Sequence, residues 1–248
     1  MIPLLSHSTS TVESWLPLLP LHGGAVLVDK PTGWTSFDVV AKLRRILRIK
    51  KIGHTGTLDP IATGLLIVCV GKATKHVGSF QDLDKEYRVE VKLGARTPSD
   101  DCETAEYDQR PIDHLTDSMI VDALKTFIGS LEQIPPSYSA IHAGGRRMYE
   151  LARRGKTLPP IAPRRVNIHT ITEIEYCQPY LRFTVRCSKG TYIRALARDL
   201  GEQLGVGGYV TALRRTAIGN YRVEDAFDVL ELIRLLTQTD NANVSLDR

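Results

Sequence analysis

Between Lys51 and Lys75 the chain reads KIGHTGTLDPIATGLLIVCVGKATK, which sets His54 and the single carboxylate of Asp59 among Gly53, Gly56 and Gly64. Two chemistries compete for such a stretch. Glycines ahead of a lysine can cradle phosphates with main-chain N–H groups, whereas an aspartate locked against a proline can present one carboxylate. A phosphate loop requires G-x-x-x-x-G-K-[ST] between a strand and a helix. Here six residues separate Gly64 from Gly71, Ala73 stands where a hydroxyl is needed, and the apolar run LLIVCV lies between the glycines. The nucleotide reading therefore fails on spacing, on ligand and on context, and GVGGY at 205 to 209 is too weak a match for a dinucleotide site. The carboxylate reading has a mechanism, because a residue before proline is driven into extended backbone and Asp59 is restrained before any tertiary contact forms. Taken alone, Asp-Pro reads more naturally as a helix N-cap with Pro60 at the first helical position.

The elements that must position these residues can be read from periodicity. GAVLVDKPTGWTS gives a strand from Ala25 to Asp29 and a Pro-Gly turn, after which Thr35 and Asp38 form a capping box for a helix with Val40, Leu43 and Leu47 on one face. LLIVCV, Leu65 to Val70, suits a buried strand. Tyr87, Val89, Val91 and Leu93 alternate with charged residues, as do Leu181, Phe183, Val185 and Cys187, and each run predicts a half-buried strand of an antiparallel or mixed sheet. SKGTYIRALARDLGEQLG then turns helical, with Ile193, Leu196, Ala197, Leu200 and Leu204 inward and Arg194 in the first turn. A further helix is expected near Val121 to Ile128, and another in DAFDVLELIRLLT.

A chain of 248 residues buries roughly 70 to 75% of its unfolded surface. No apolar run approaches the length of a membrane span, and the N-terminus lacks the basic start of an export signal while Pro3, Pro17 and Pro20 interrupt it. A cytoplasmic protein is expected, its residues 1–22 a loosely held leader. Cys69, Cys102, Cys177 and Cys187 have no CxxC spacing and read as reduced, mostly buried thiols; the seven histidines form no metal pattern. The formal net charge is only +4, but KLRRILRIKK carries six basic residues and no acid. Further pairs stand at Arg146/Arg147, Arg153/Arg154 with Lys156, Arg164/Arg165 and Arg214/Arg215. Several such clusters favour a polyanionic partner, because phosphates reward grouped Lys and Arg through counterion release.

Six segments now acquire a common meaning. GGAVLVDKPTGWTS, GHTGTLDPIATGLL with GKATK, DKEYRVEVKLGARTPSDD, QIPPSYSA, CSKGTYIRALARDLGEQLG and YVTALRRTAIG resemble, in order and spacing, the bacterial tRNA pseudouridine synthase B (TruB) family over about residues 23 to 220. The resemblance implies a mixed α/β fold of the α+β kind, with a central, largely antiparallel sheet flanked by helices. It implies one catalytic domain over 23–248 with a basic, RNA-clamping arm inserted at about 113–160. The family isomerises uridine 55 in the TΨC loop of tRNA without cofactor or metal, the uracil leaving C1′ and rejoining through C5. Many relatives continue into a C-terminal PUA domain, for which this chain ends too soon.

By the same resemblance Asp59 is the essential carboxylate, acting as nucleophile at sugar or ring or promoting elimination. Arg194 would be its counter-ion, keeping it charged in a site closed to water. Tyr87 would stack on the target base, with His54, Tyr192 and Leu213 around the extracted nucleotide. Extraction costs a few kcal/mol of unstacking, which stacking and phosphate contacts offset. Tyr209 and His142 depart from the residues common at their positions. The expected partner is the TΨC stem-loop of tRNA, bound by a monomer with no obligate protein partner and no membrane. The rival reading is an RNA-folding chaperone whose catalysis is incidental or lost.

Overall fold

The computed structural model describes residues 2–139, 142–143, 146–148 and 159–246. The chain divides into two compact units, Met1–Glu86 with Arg214–Arg248, and Tyr87–Leu213.

In the first unit β1 (Leu4–Leu5) runs parallel to β2 (Gly24–Lys30), and β2 pairs antiparallel with β4 (Thr63–Val70). The other edge of β4 is shared. β3 (Ile52–His54) takes its C-terminal end, and β11 (Gly208–Ile218) meets it in parallel only at Arg214 and Arg215, opposite Thr63 and Gly64. β12 (Tyr221–Arg222) turns back on β11, and β13 (Phe227–Asp228) lies parallel to β2. The apolar run of β4 is continuous rather than alternating because both its faces are covered. Leu66, Val68 and Val70 pack with Val39, Val40 and Leu43 of α3 (Ser36–Leu47) and with Leu232 and Leu236 of a helix spanning Val229–Leu246, while Leu65, Ile67 and Cys69 pack with Phe80, Ile218 and Val223. α3 starts where the sequence predicts. Thr35 Oγ1 accepts from Asp38 N at 3.1 Å and Asp38 Oδ2 accepts from Thr35 N at 2.8 Å, forming the reciprocal box.

The expected loose leader is instead packed. Before α3 come α1 (Val12–Trp15) and α2 (Leu19–His22); Leu5, Val12, Trp15 and Leu19 are buried, and Trp15 Nε1 donates to Pro3 O at 3.2 Å. Of the interrupting prolines, Pro17 and Pro20 stand at the starts of one-turn helices, where a missing N–H costs nothing. After β4 the short α4 (Val77–Gln81) supplies Phe80.

In the second unit the strand order is β11, β5 (Lys85–Leu93), β10 (Tyr180–Cys187), β9 (Arg164–Cys177) and β6 (Gly129–Gln133), with β9 antiparallel to both its neighbours. β7 (His142–Ala143) and β8 (Arg146–Arg147) form a separate antiparallel pair. Alternation holds as read: Tyr87, Val89, Val91, Leu93, Leu181, Phe183, Val185 and Cys187 are buried while Arg88, Arg182 and Arg186 are exposed. α5 (Asp117–Lys125) begins at its Thr116 cap, a few residues earlier than expected. α6 (Ile193–Gln203) buries Ile193, Leu196, Ala197 and Leu200, and also Arg194. The Val229–Leu246 helix is α7. The sheet is mixed and largely antiparallel, the class expected. Arg153, Arg154 and Lys156 lie outside the described residues. Among those described, no helix is long and apolar enough to cross a membrane, and two thiols expected inside, Cys102 and Cys177, are exposed.

Candidate active site

The loop from β3 to β4 carries Asp59. It leaves the ladder at Thr55, whose N–H donates to Ile67 O at 3.0 Å, and closes as a turn in which Ala62 N donates to Asp59 O at 3.0 Å. Asp59 therefore heads a β-turn with Pro60 second, the positions these residues favour. No helix starts there, so the N-cap reading of the dipeptide is excluded. The PTGWTS segment staples this turn from outside. Gly33 N donates to Pro60 O at 2.8 Å, Leu58 N donates to Ser36 Oγ at 2.8 Å, and Leu58 and Ala62 are buried on either side of the half-buried Asp59. Sequence motifs more than twenty residues apart thus hold one carboxylate.

Cations surround the loop within its own unit. Lys30 is wholly buried and donates to Pro31 O at 2.8 Å and Trp34 O at 2.6 Å. Burial lowers its pKa to about 8, Asp59 opposing the shift and Arg215 adding to it. Arg215, 1% exposed, donates from Nε to Leu65 O at 2.7 Å and from Nη2 to Gly56 O at 3.2 Å. His54 accepts from Gly56 N through Nδ1 at 3.3 Å; burial, then the Arg215 charge, push its pKa below the ordinary histidine value. A neutral imidazole follows at pH 7, with its proton on Nε2.

The expected Arg214/Arg215 phosphate contact does not exist as a surface. Strand alternation points the two side chains apart, so that Arg215 goes inward and Arg214 grips Asp29 at 2.6 and 3.0 Å.

Four of the anticipated residues belong to the second unit. Arg194, 5% exposed in the first turn of α6, donates to Asp101 Oδ2 at 3.1 Å, Ser99 O at 2.9 Å and Tyr138 O at 2.8 Å. Asp101 is equally buried and also accepts from Ser99 Oγ at 2.6 Å. Tyr192 caps α6 and exchanges two hydrogen bonds with the Gln133 amide, at 2.8 and 3.0 Å. Tyr87 and Leu213 are buried on β5 and β11. Next to Asp101, burial raises Asp100 to about 6 against the pull of Arg198, which binds it at 3.0 Å. Tyr209 is buried, and its hydroxyl donates to Glu106 at 2.5 Å.

His54 thus ends the strand that leads into the loop of Asp59, and Tyr192 and Arg194 share one helix start. Sequence reading did not single out Asp101 and Gln133, which bind Arg194 and Tyr192, or Lys30 and Arg215 beside the Asp59 loop. The alternation of β11 was a signal for Arg215, since it follows Leu213 by two; a pair of arginines reads as a charge cluster unless its strand is assigned first. Among the described residues no three His, Cys, Asp or Glu side chains group as metal ligands.

Comparison with known proteins gives the arrangement a context. The N-terminal domain model of the TruB family of pseudouridylate synthases matches residues 44–193, and the C-terminal domain model of tRNA pseudouridylate synthase B matches 194–248. Proteins named tRNA pseudouridine synthase B are similar along most of their length. That of Chloroherpeton thalassium is 46% identical over 227 residues, covering 89% of this chain and 93% of its own; that of Bacteroides fragilis is 44% identical over 225, covering 88% and 96%. Among solved structures, a Cbf5-Nop10-Gar1 complex is 28% identical with a TM-score of 0.68, covering 93% of this chain and 58% of that one. An H/ACA RNP bound to a substrate RNA containing 2′-deoxyuridine is 28% identical with a TM-score of 0.63, covering 86% and 52%. This chain spans little more than half of those structural neighbours.

Proposed function

The chain belongs to the TruB family of pseudouridylate synthases and is a tRNA pseudouridine synthase, and on that premise we propose that it acts on uridine 55 of the TΨC loop with Asp59 as the reacting carboxylate. The reaction is an isomerisation. The N1–C1′ bond breaks, the uracil turns, a C5–C1′ bond forms, and the C5 proton is lost as N1 gains one, so no electrons are exchanged with a partner. Asp59 attacks C1′ or the ring, or draws the sugar toward elimination; any of these needs it ionised and aimed. The observation that carries the reading is the stapled turn, which holds a single half-buried carboxylate among buried cations.

The remaining residues take complementary roles. Arg194 is assigned as counter-ion to Asp59, with Asp101 binding its Nη1 at 3.1 Å, and an arginine so held keeps a carboxylate charged in a dry pocket. Tyr87 stacks on the flipped uracil, while Tyr192, Leu213 and neutral His54 border the nucleotide. The exposed edge of α3 and the residues after it, Arg45, Arg48, Lys50 and Lys51, suits phosphate contact, and Phe37, 61% exposed, adds an aromatic face. Shape rather than sequence governs recognition of such an RNA.

Unmodified tRNA incubated with wild type and with Asp59→Asn provides the test, read as pseudouridine at position 55. The variant is expected to lose roughly 10³-fold or more in rate while binding tRNA normally. Wild-type turnover by the variant would remove Asp59 from the chemistry, and binding without modification by both proteins would favour the chaperone reading.

A further inference from the structure

We propose that Arg215 is a positioning residue for the reacting carboxylate, its buried guanidinium joining the two ends of the loop that carries Asp59. The inference rests on the reading of Asp59 given above. Nε binds the carbonyl of Leu65 where the chain re-enters β4, and Nη2 binds the carbonyl of Gly56 where it has just left β3. The main chain of the same residue meets the loop as well. Arg215 is the register partner of Gly64, whose φ is +102° and where a Cβ would stand 2.3 Å from Arg215 O. Only a glycine lets β11 come that close, and that approach lets the guanidinium reach both carbonyls.

The residue type is informative because it is costly. A charged group taken out of water is expensive unless well compensated, and an apolar side chain of similar volume commonly fills such a space at no loss of stability. Among the described residues the hydrogen bonds of Arg215 go to main-chain carbonyls. With 1% exposure it has no reach to tRNA phosphates. What a rigid fork gives, and an apolar filler cannot, is a fixed distance between two carbonyls together with a positive charge under the loop. The lowered affinity of His54 and Lys30 for protons, to which Arg215 contributes, is the same field felt by neighbours; for a carboxylate its sign is favourable.

The experiment compares wild type, Arg215→Ala and Arg215→Lys on unmodified tRNA at saturating and limiting RNA, with and without methylguanidinium. Misplacing a reacting group by about 1 Å costs on the order of 10²-fold, so R215A is expected to lose about that factor in kcat with KM within about threefold. Methylguanidinium should restore kcat about tenfold or more, and R215K should stay impaired because a point ammonium does not span both carbonyls. An R215A enzyme with near-wild-type kcat, a loss confined to KM, or an additive that raises Tm without raising kcat would each overturn the proposal. Should R215A fail to fold, R215K alone is read: a drop in kcat with KM within about threefold is expected, and a wild-type kcat overturns the proposal. Asp59→Asn in the same assay separates the two readings: with D59N dead and R215A fully active, only the role of Arg215 falls.

Discussion

At the scale of single residues, the loop around Asp59 is set by charges that the chain buries rather than displays. Lys30 is the clearest case, since its depressed pKa of about 8, against 10.5 in the open chain, makes a signed prediction. Between these values the unfolded chain holds a proton that the folded chain has released, so folding stability rises with pH across that window. Below pH 8 both states are charged and the penalty of the buried ammonium is present in full. Lys30→Met is expected to lose this rise, seen as the difference between the wild-type and variant urea midpoints from pH 7.5 to 10.5. Parallel curves for the two proteins would show that the lysine is not its source. His54 moves in the same direction for the same reasons, burial and Arg215. Legibility also divides at this scale. Asp59 and Arg194 stood out through their motifs, whereas Lys30 and Arg215 acquire meaning only once their strands are paired.

At the scale of elements, what the sequence announces is local, and what it conceals is set by distant partners. The Thr35 and Asp38 box, the double-faced β4 and the alternating β5 and β10 could all be read from neighbours within a few residues. The turn at Asp59 could not, because Asp-Pro is compatible with a helix start, and the bonds that decide otherwise come from Gly33 and Ser36. Residues 1–22 were misread for the same reason, since the partners of β1 and Trp15 lie in β2 and α7. Two substitutions test this division. Thr35→Ala removes a local cap and is expected to cost about 1 kcal/mol in chemical denaturation, leaving kcat intact. Gly64→Ala forces a side chain onto Arg215 O and strains a left-handed backbone, so it should cost about 3 kcal/mol or more and depress kcat as well. If the Gly64 variant matched wild type in both, β11 would not be seated against β4 as described.

At the scale of the whole molecule, a formal charge of +4 is too small to explain RNA binding by itself, so the distribution of charge has to do so. Arg214 is engaged with Asp29, Arg215 is inside, Arg182 meets Glu90 at 2.8 Å and Arg198 meets Asp100 at 3.0 Å. Arginines that look alike in composition therefore differ in what they can offer a phosphate. Arg45 and Arg48 are exposed on α3 and at its C-cap, with Lys50 and Lys51 just beyond, and on the reading proposed above this segment is expected to carry the electrostatic share of tRNA affinity. Each phosphate contact contributes a slope of about −0.7 to −0.9 in log K against log salt. Arg45→Ala with Arg48→Ala should flatten the measured slope by about 1.5, weaken tRNA binding most at low salt, and leave kcat at saturating tRNA unchanged, because both stand on α3 and its cap rather than on the loop of Asp59. A loss of affinity with the slope intact would mean that the two arginines support α3 rather than meet phosphate. A fall in kcat at saturation would mean that this edge helps to seat the uridine and not merely to hold the RNA.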